Sequence, residues 1–252
     1  MGKSRANPTE VDLAGKVQQL LFPKSSPVCN WCCMGVKNEM AEELGGDYFD
    51  FIEMPDECQV IFLGDVTGHG LHASIIMSLL YGFIHHNASR DHGPLELAAE
   101  ANTFLRYFAR RSTTFDHFFS STLFYSIIDP DSLVMRYVNA GHVPPMVRRG
   151  DRVSYLLTTA HPLGFFEEPE LDMNSFQLEK GDRLLLYTDG ITETFNPQEE
   201  AFGRDRLESL LLEHPGEYHE FLGAVFADLD AFRREKTSRD DCTAIVLDIN
   251  GR

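Results

Sequence analysis

Apolar residues recur along the chain with two periods, and the change between them separates its parts. Val11, Ala14, Val17, Leu20 and Leu21 fall at helical spacing behind Asn7-Pro8-Thr9-Glu10. That start combines a capping residue, a proline at the first helical position and an acid in the first turn. The pattern predicts an amphipathic helix over about 9–21, ended by Phe22-Pro23, that packs on the domain behind it or on a second copy. From about residue 28 the period falls to two. Strands are predicted near 28–36, 47–53 and 58–65, the last two closed into a hairpin at Met54-Pro55-Asp56-Glu57. Helices over about 71–87 and 95–110 follow. Strands then fall near 121–128, 133–139, 144–148, 152–157, 172–178 and 183–188, with turn formers between them. Helices near 205–213 and 217–235 lead to a last strand at about 242–249. Short turns between strands mean antiparallel pairing, so the fold class is α+β and not a doubly wound parallel sheet. With no repeat or linker in view, residues 28–252 read as one domain and 1–27 as an N-terminal extension.

Composition narrows the function classes. The 252 residues hold 22 Lys+Arg against 39 Asp+Glu, a formal charge of −17. This balance argues against a nucleic-acid backbone or an anionic membrane as partner, and it favours divalent cations. The longest apolar stretch, Ser74 to Ile84, is too short to span a bilayer. Met1-Gly2-Lys3 opens no signal peptide, and Ala6 stands where myristoylation requires Ser or Thr. Five cysteines at irregular positions are not a disulfide framework, so a reduced, cytoplasmic protein is expected.

Acids stand at strand edges beside turn formers in four places. These are Gly45-Gly46-Asp47, Gly64-Asp65-Val66-Thr67-Gly68-His69-Gly70, Tyr187-Thr188-Asp189-Gly190 and Arg239-Asp240-Asp241. Taken singly, each is an ordinary turn signal. Brought side by side, such carboxylates cannot all stay ionised unless a cation joins them, and oxygen-only ligands favour Mg²⁺ or Mn²⁺ over zinc. Other motifs lead nowhere. Gly68-His69-Gly70-Leu71-His72-Ala73 fits a dinucleotide turn but lacks the second strand and its acid, which leaves a nucleotide-dependent oxidoreductase as a remote reading. Cys29-Asn30-Trp31-Cys32-Cys33 has no second cysteine pair for zinc and reads as core strand. No G-x-S-x-G elbow or other covalent nucleophile stands out.

Taken in order, several blocks carry a family resemblance. They are Glu43-Leu44-Gly45-Gly46-Asp47-Tyr48-Phe49-Asp50, the Gly64–Gly70 block, Asn139-Ala140-Gly141-His142-Val143-Pro144-Pro145 and Pro162-Leu163-Gly164. Tyr187-Thr188-Asp189-Gly190-Ile191-Thr192-Glu193, Phe202-Gly203 and Asp240-Asp241-Cys242-Thr243 complete the series. From about residue 10 onward the chain resembles the PPM-type metal-dependent serine/threonine phosphatases, in their bacterial SpoIIE-like and RsbU-like branch.

The resemblance implies two antiparallel β-sheets stacked face to face with helix pairs outside. It implies two Mn²⁺ or Mg²⁺ ions held by Asp47, Asp65, the backbone carbonyl of Val66, Asp189 and Asp240, which activate the water that hydrolyses phosphoserine or phosphothreonine. Asp240 rather than Asp241 is assigned because it follows Ser238-Arg239 as the last ligand does in that family. No general acid is identified, His69 being one candidate, and no residue is assigned to grip the substrate phosphate. By the same resemblance the substrate is a phosphorylated regulator such as a STAS-type anti-sigma-factor antagonist, and the N-terminal helix forms a homodimer contact. Helices 71–87 and 95–110 resemble the segment that switches such enzymes by moving a metal ligand. The alternative is a non-catalytic signalling module of the same fold.

Overall fold

The computed structural model describes residues 8–23, 29–88, 92–111, 114, 119–234 and 240–251. Asn7, Val28, Asp91, Ser238, Arg239 and the end of the helix expected to reach 235 lie outside them. Along the chain run α1 (Pro8–Gln18), β1 (Cys32–Glu39), β2 (Asp47–Glu53), β3 (Gln59–Val66), α2 (Leu71–Ala88) and α3 (Pro94–Ala109). Next come β4 (Ser121–Ile128), β5 (Val134–Ala140), β6 (Met146–Arg149), β7 (Arg152–Tyr155), β8 (Asn174–Gln177) and β9 (Arg183–Tyr187). A short α4 (Asp189–Thr192) precedes α5 (Arg204–Glu213), α6 (Tyr218–Arg233) and β10 (Cys242–Ile249).

The strands make two five-stranded sheets, ordered β1-β10-β9-β6-β7 and β2-β3-β4-β5-β8, with every named pair antiparallel. Side-chain alternation explains the stacking. In β3, Ile61 and Leu63 enter a core shared with Leu184, Leu186, Ile245 and Leu247 of the other sheet. Val60 and Phe62 point the opposite way, into a second core under α2 and α3. In β10, Val246 and Ala244 likewise turn outward to meet α5 and α6 around Phe221, Val225 and Phe226. The sandwich is therefore four layers deep, helices–sheet–sheet–helices. Its central strands are buried on both faces, which is why they read as continuous apolar runs.

Several boundaries shift for local reasons. Strand β1 starts at Cys32 and not at 28, because its pairing with β10 runs from Cys32↔Ile249 to Glu39↔Cys242; Cys29 precedes it. Strand β6 starts after Pro144-Pro145, which have no N–H for a ladder. Helix α1 ends at Gln18, and it does not pack by its apolar stripe. Gly15 and Gln18 are the buried positions, whereas Leu13, Val17 and Leu20 are each more than half exposed. Gln18 Nε2 donates to the Gly45 carbonyl at 2.7 Å, and the Gly45 N–H donates back to Gln18 Oε1 at 3.1 Å. The helix is thus clasped to the loop just ahead of Asp47.

Candidate functional site

Register decides where the acids meet. In the β2–β3 hairpin Asp47 stands directly opposite Asp65. In the other sheet β9 ends beside the start of β10, with Ala244 paired to Tyr187 and the Thr188 N–H donating to the Thr243 carbonyl at 3.0 Å. Asp189 and the Asp240–Asp241 pair therefore leave that sheet at one edge. Two hydroxyls tie this edge to Asp47. Thr188 Oγ1 donates to Asp47 Oδ2 at 3.0 Å, and the Thr243 hydroxyl donates to the same oxygen. The Thr243 N–H donates to Thr188 Oγ1 at 3.0 Å, which orients that hydroxyl.

The result is a concentration of carboxylate with no Lys or Arg among the groups that set its pKa values. Burial pushes the pKa of Asp47 well above the carboxylate range, and Asp65 and Asp241 add to it. Burial pushes Asp65 up to about 8, reinforced by Asp189, Asp240 and Asp241. Asp189 is raised by burial and by Glu193. Asp240 is raised by burial and by Asp189, with His69 working against them. Among the described residues no three His, Cys, Asp or Glu side chains stand close enough to form a closed ligand cluster on their own.

The two neighbouring acids at 240 and 241 do different things. Asp241 Oδ1 accepts from the Ala41 N–H and its Oδ2 from the Gly46 N–H, both at 2.8 Å, so it pins the loop that delivers Asp47. Among the described residues the Asp240 carboxylate accepts from the N–H of its neighbour Asp241, at 2.8 Å. The carbonyl of Val66 faces the same space. A Cβ on Gly46 would lie 3.0 Å from Asp65 Oδ1, 3.2 Å from the Val66 carbonyl oxygen and 3.4 Å from that of Gly68. The three atoms nearest to such a side chain are all oxygens, and an oxygen donor set suits a hard divalent cation.

Three hydroxyl residues serve the site in roles that the sequence left unassigned, Thr188 and Thr243 inside the family blocks and Thr122 outside them. Thr188 and Thr243 fix Asp47, and Thr122 Oγ1 accepts from the Asp65 N–H at 3.2 Å while lying 3.1 Å from His142 Nδ1. Their one signal was a small hydroxyl residue at the end of an apolar strand. His69 is exposed on the β3–α2 turn, its Nδ1 3.4 Å from Glu42 Oε1.

Comparison with known proteins agrees with this architecture. Residues 55–250 match the Stage II sporulation protein E (SpoIIE) family. The chain is 24% identical over 269 residues to Protein IcfG of Synechocystis sp., covering 97% of this chain and 42% of that protein. It is 27% identical over 186 residues to the phosphoserine phosphatase RsbP of Bacillus subtilis, covering 73% of this chain and 45% of that one. The chain thus spans less than half the length of these two relatives. The SiaA-PP2C domain of Pseudomonas aeruginosa superposes with a TM-score of 0.84 at 19% identity, over 96% of each chain. The chain belongs to the SpoIIE family and has the two-sheet α+β fold of the PP2C phosphatases.

Proposed function

We propose that the protein is a metal-dependent phosphatase acting on phosphoserine or phosphothreonine of a bacterial signalling regulator. The observation that carries this reading is the gathering of Asp47, Asp65, Asp189 and Asp240 at one edge of the sandwich, with pKa values raised by burial and no Lys or Arg among the groups that set them. These four carboxylates and the Val66 carbonyl would hold two Mn²⁺ or Mg²⁺ ions. Such ions would lower the pKa of water and offset charge on the phosphoryl oxygens. The chain's own contribution is placement. Thr188 and Thr243 hold Asp47, Asp241 holds the Gly45–Gly46 backbone, and Thr122 holds the strand end that carries Asp65. The substrate of this reading is a STAS-type antagonist, and RsbP, the phosphoserine phosphatase similar to this chain, supports the phosphoserine chemistry.

Residues 28–252 are the catalytic unit of this proposal and 1–27 its extension. Homodimerisation through α1 is part of it. The exposed Leu13 and Val17 line one groove with Leu71, Ile75 and Leu79 of α2, an apolar surface that a second copy would cover. A reducing, cytoplasmic setting is part of the proposal.

The test is phosphate release from an aryl phosphate with Mn²⁺, with Mg²⁺ and with chelator, on the wild type and Asp189→Asn. Metal-dependent turnover is expected, and the substitution should lower it by more than the ~10–100-fold typical of an outer-shell partner. Absence of turnover under every condition would leave the non-catalytic signalling module.

A further inference from the structure

We propose that the Phe165–Phe166 tip beside the carboxylate site is a docking surface for a folded phosphoprotein substrate that presents an apolar pocket rimmed by Lys or Arg. The inference rests on the phosphatase reading above and adds how the protein substrate is held.

An exposed aromatic on a slack loop is unremarkable, but this tip is built. Phe165 is 65% and Phe166 43% exposed, and their rings meet edge to face at 5.1 Å. The backbone beneath them is held from three sides. Asn102 of α3, 1% exposed, accepts from the Gly164 N–H at 2.8 Å and donates to the Phe166 carbonyl at 3.2 Å. Arg106 donates to the Gly164 carbonyl at 3.2 Å, and Arg106 and Arg110 together clamp Glu167. Leu163 exchanges two backbone hydrogen bonds with Ser121, at 3.0 and 2.8 Å. Gly164 sits at φ +79° where a Cβ would lie 2.0 Å from the Phe119 carbonyl oxygen, so only glycine allows this closeness. A buried asparagine and a shared arginine are thus spent on fixing a loop whose tip gives its apolar surface to solvent. Aromatic side chains held in place lose little freedom on binding, which is the property of an interface anchor.

Position and charge define the occupant. Ser121, the partner of Leu163, donates its hydroxyl to the Asp65 carbonyl at 2.7 Å, so the tip starts two residues beyond a residue whose partner is bonded to the site. A partner seated on the rings would bring its own surface over the carboxylates. Glu168, Glu170 and Asp172 follow the rings along the chain and are exposed, on a chain of charge −17. The nearby cations Arg106 and Arg110 are taken up by Glu167, and His161 packs on Phe166. That surround repels a second copy of the chain and an anionic membrane, and it attracts a basic rim.

The experiment compares wild type, Phe165→Ser/Phe166→Ser and Glu168→Lys/Glu170→Lys under Mn²⁺, after confirming an unchanged melting temperature. The probes are p-nitrophenyl phosphate and a serine-phosphorylated STAS-domain protein. Both variants should keep wild-type kcat/KM on the aryl phosphate and lose at least about tenfold on the protein, through KM. If the first variant does not fold, the second decides. Equal protein kinetics in all three enzymes, or a parallel loss on both probes, would overturn the docking surface. So would a wild type that hydrolyses the aryl phosphate and not the STAS protein, or a first variant that turns a dimer into a monomer. A wild type inactive on both probes overturns the phosphatase reading itself.

Discussion

Asp240 and Asp241 are adjacent in sequence and chemically identical, yet their surroundings give them separate tasks. Both oxygens of Asp241 accept backbone N–H groups of the 41–46 loop. Replacing it by Asn puts an amide donor against one of those donors, and a buried N–H left facing it costs about 1–3 kcal/mol. Asp240 has no such duty, and it sits among like charges. Asp240→Asn is therefore expected to leave the metal-free protein as stable as wild type or slightly more so, while abolishing metal-dependent turnover. Asp241→Asn is expected to lower stability by about 1–3 kcal/mol and to lose activity through the displaced loop. Chemical denaturation in chelator, read beside aryl phosphate turnover, separates the two. The same loss of stability from both substitutions would contradict the assignment. Spacing within Arg239-Asp240-Asp241 cannot tell these residues apart, since the difference lies in N–H groups nearly 200 positions away.

At the scale of elements, what could be read from the chain was what local chemistry controls. The β2–β3 hairpin followed from its Pro-Asp turn, whereas the register that sets Asp47 opposite Asp65 came from the structure. Helices α2, α3, α5 and α6 followed from their spacing. Helix α4 was missed because its four residues depend on Asp189 and Gly190 folding back under β10, which no local pattern encodes. The packing face of α1 was not decided by its spacing for a related reason. A stripe of Val and Leu suits the domain or a second copy equally, and it is Gly15 and Gln18 that touch the domain, with partners in the 43–45 loop. The buried Gln18 makes α1 a brace for the strand that carries Asp47. Gln18→Ala strips the Gly45 N–H and carbonyl of their partners, and a stability loss of about 1–3 kcal/mol is expected. Because the next strand begins two residues later, the Mn²⁺ concentration for half-maximal activity should also rise severalfold, with kcat recovered at saturation. An unchanged Mn²⁺ midpoint with lowered stability would make the helix a structural support alone.

For the whole molecule, stacking two sheets with their acidic ends at one edge stores electrostatic strain that should be visible as pH dependence. An unfolded aspartate titrates near 3.8, whereas Asp65 is pushed up to about 8 by burial and Asp47 is raised as well. Between those values the metal-free folded chain holds more protons than the unfolded one. Its stability must then fall as pH rises, by about 1.4 kcal/mol per pH unit for each extra proton held. The Cys29 thiol, lowered by its hydrogen bond with Cys32, and His142 oppose this slope. Burial pulls His142 down to about 4, so the folded chain lacks a proton that the unfolded chain carries up to the ordinary value of 6.5. That contribution makes stability rise with pH, and it fades above 6.5 as the unfolded imidazole loses its proton. From pH 6.5 to 8 the carboxylates outweigh both opposing groups, and the melting temperature in chelator should drop across that window. A divalent cation binds the deprotonated set, so saturating Mn²⁺ or Mg²⁺ should stabilise more at pH 8 than at 6.5 and flatten or reverse the slope. General repulsion within a chain of charge −17 also favours unfolding at high pH, but NaCl at matched ionic strength screens it as well as a divalent salt does. The two sources separate cleanly. If the edge is the cause, only the divalent ion restores stability, and Asp65→Asn removes most of the slope in chelator. Parallel curves in NaCl and in Mn²⁺ would place the pH dependence in the overall charge and detach it from the site.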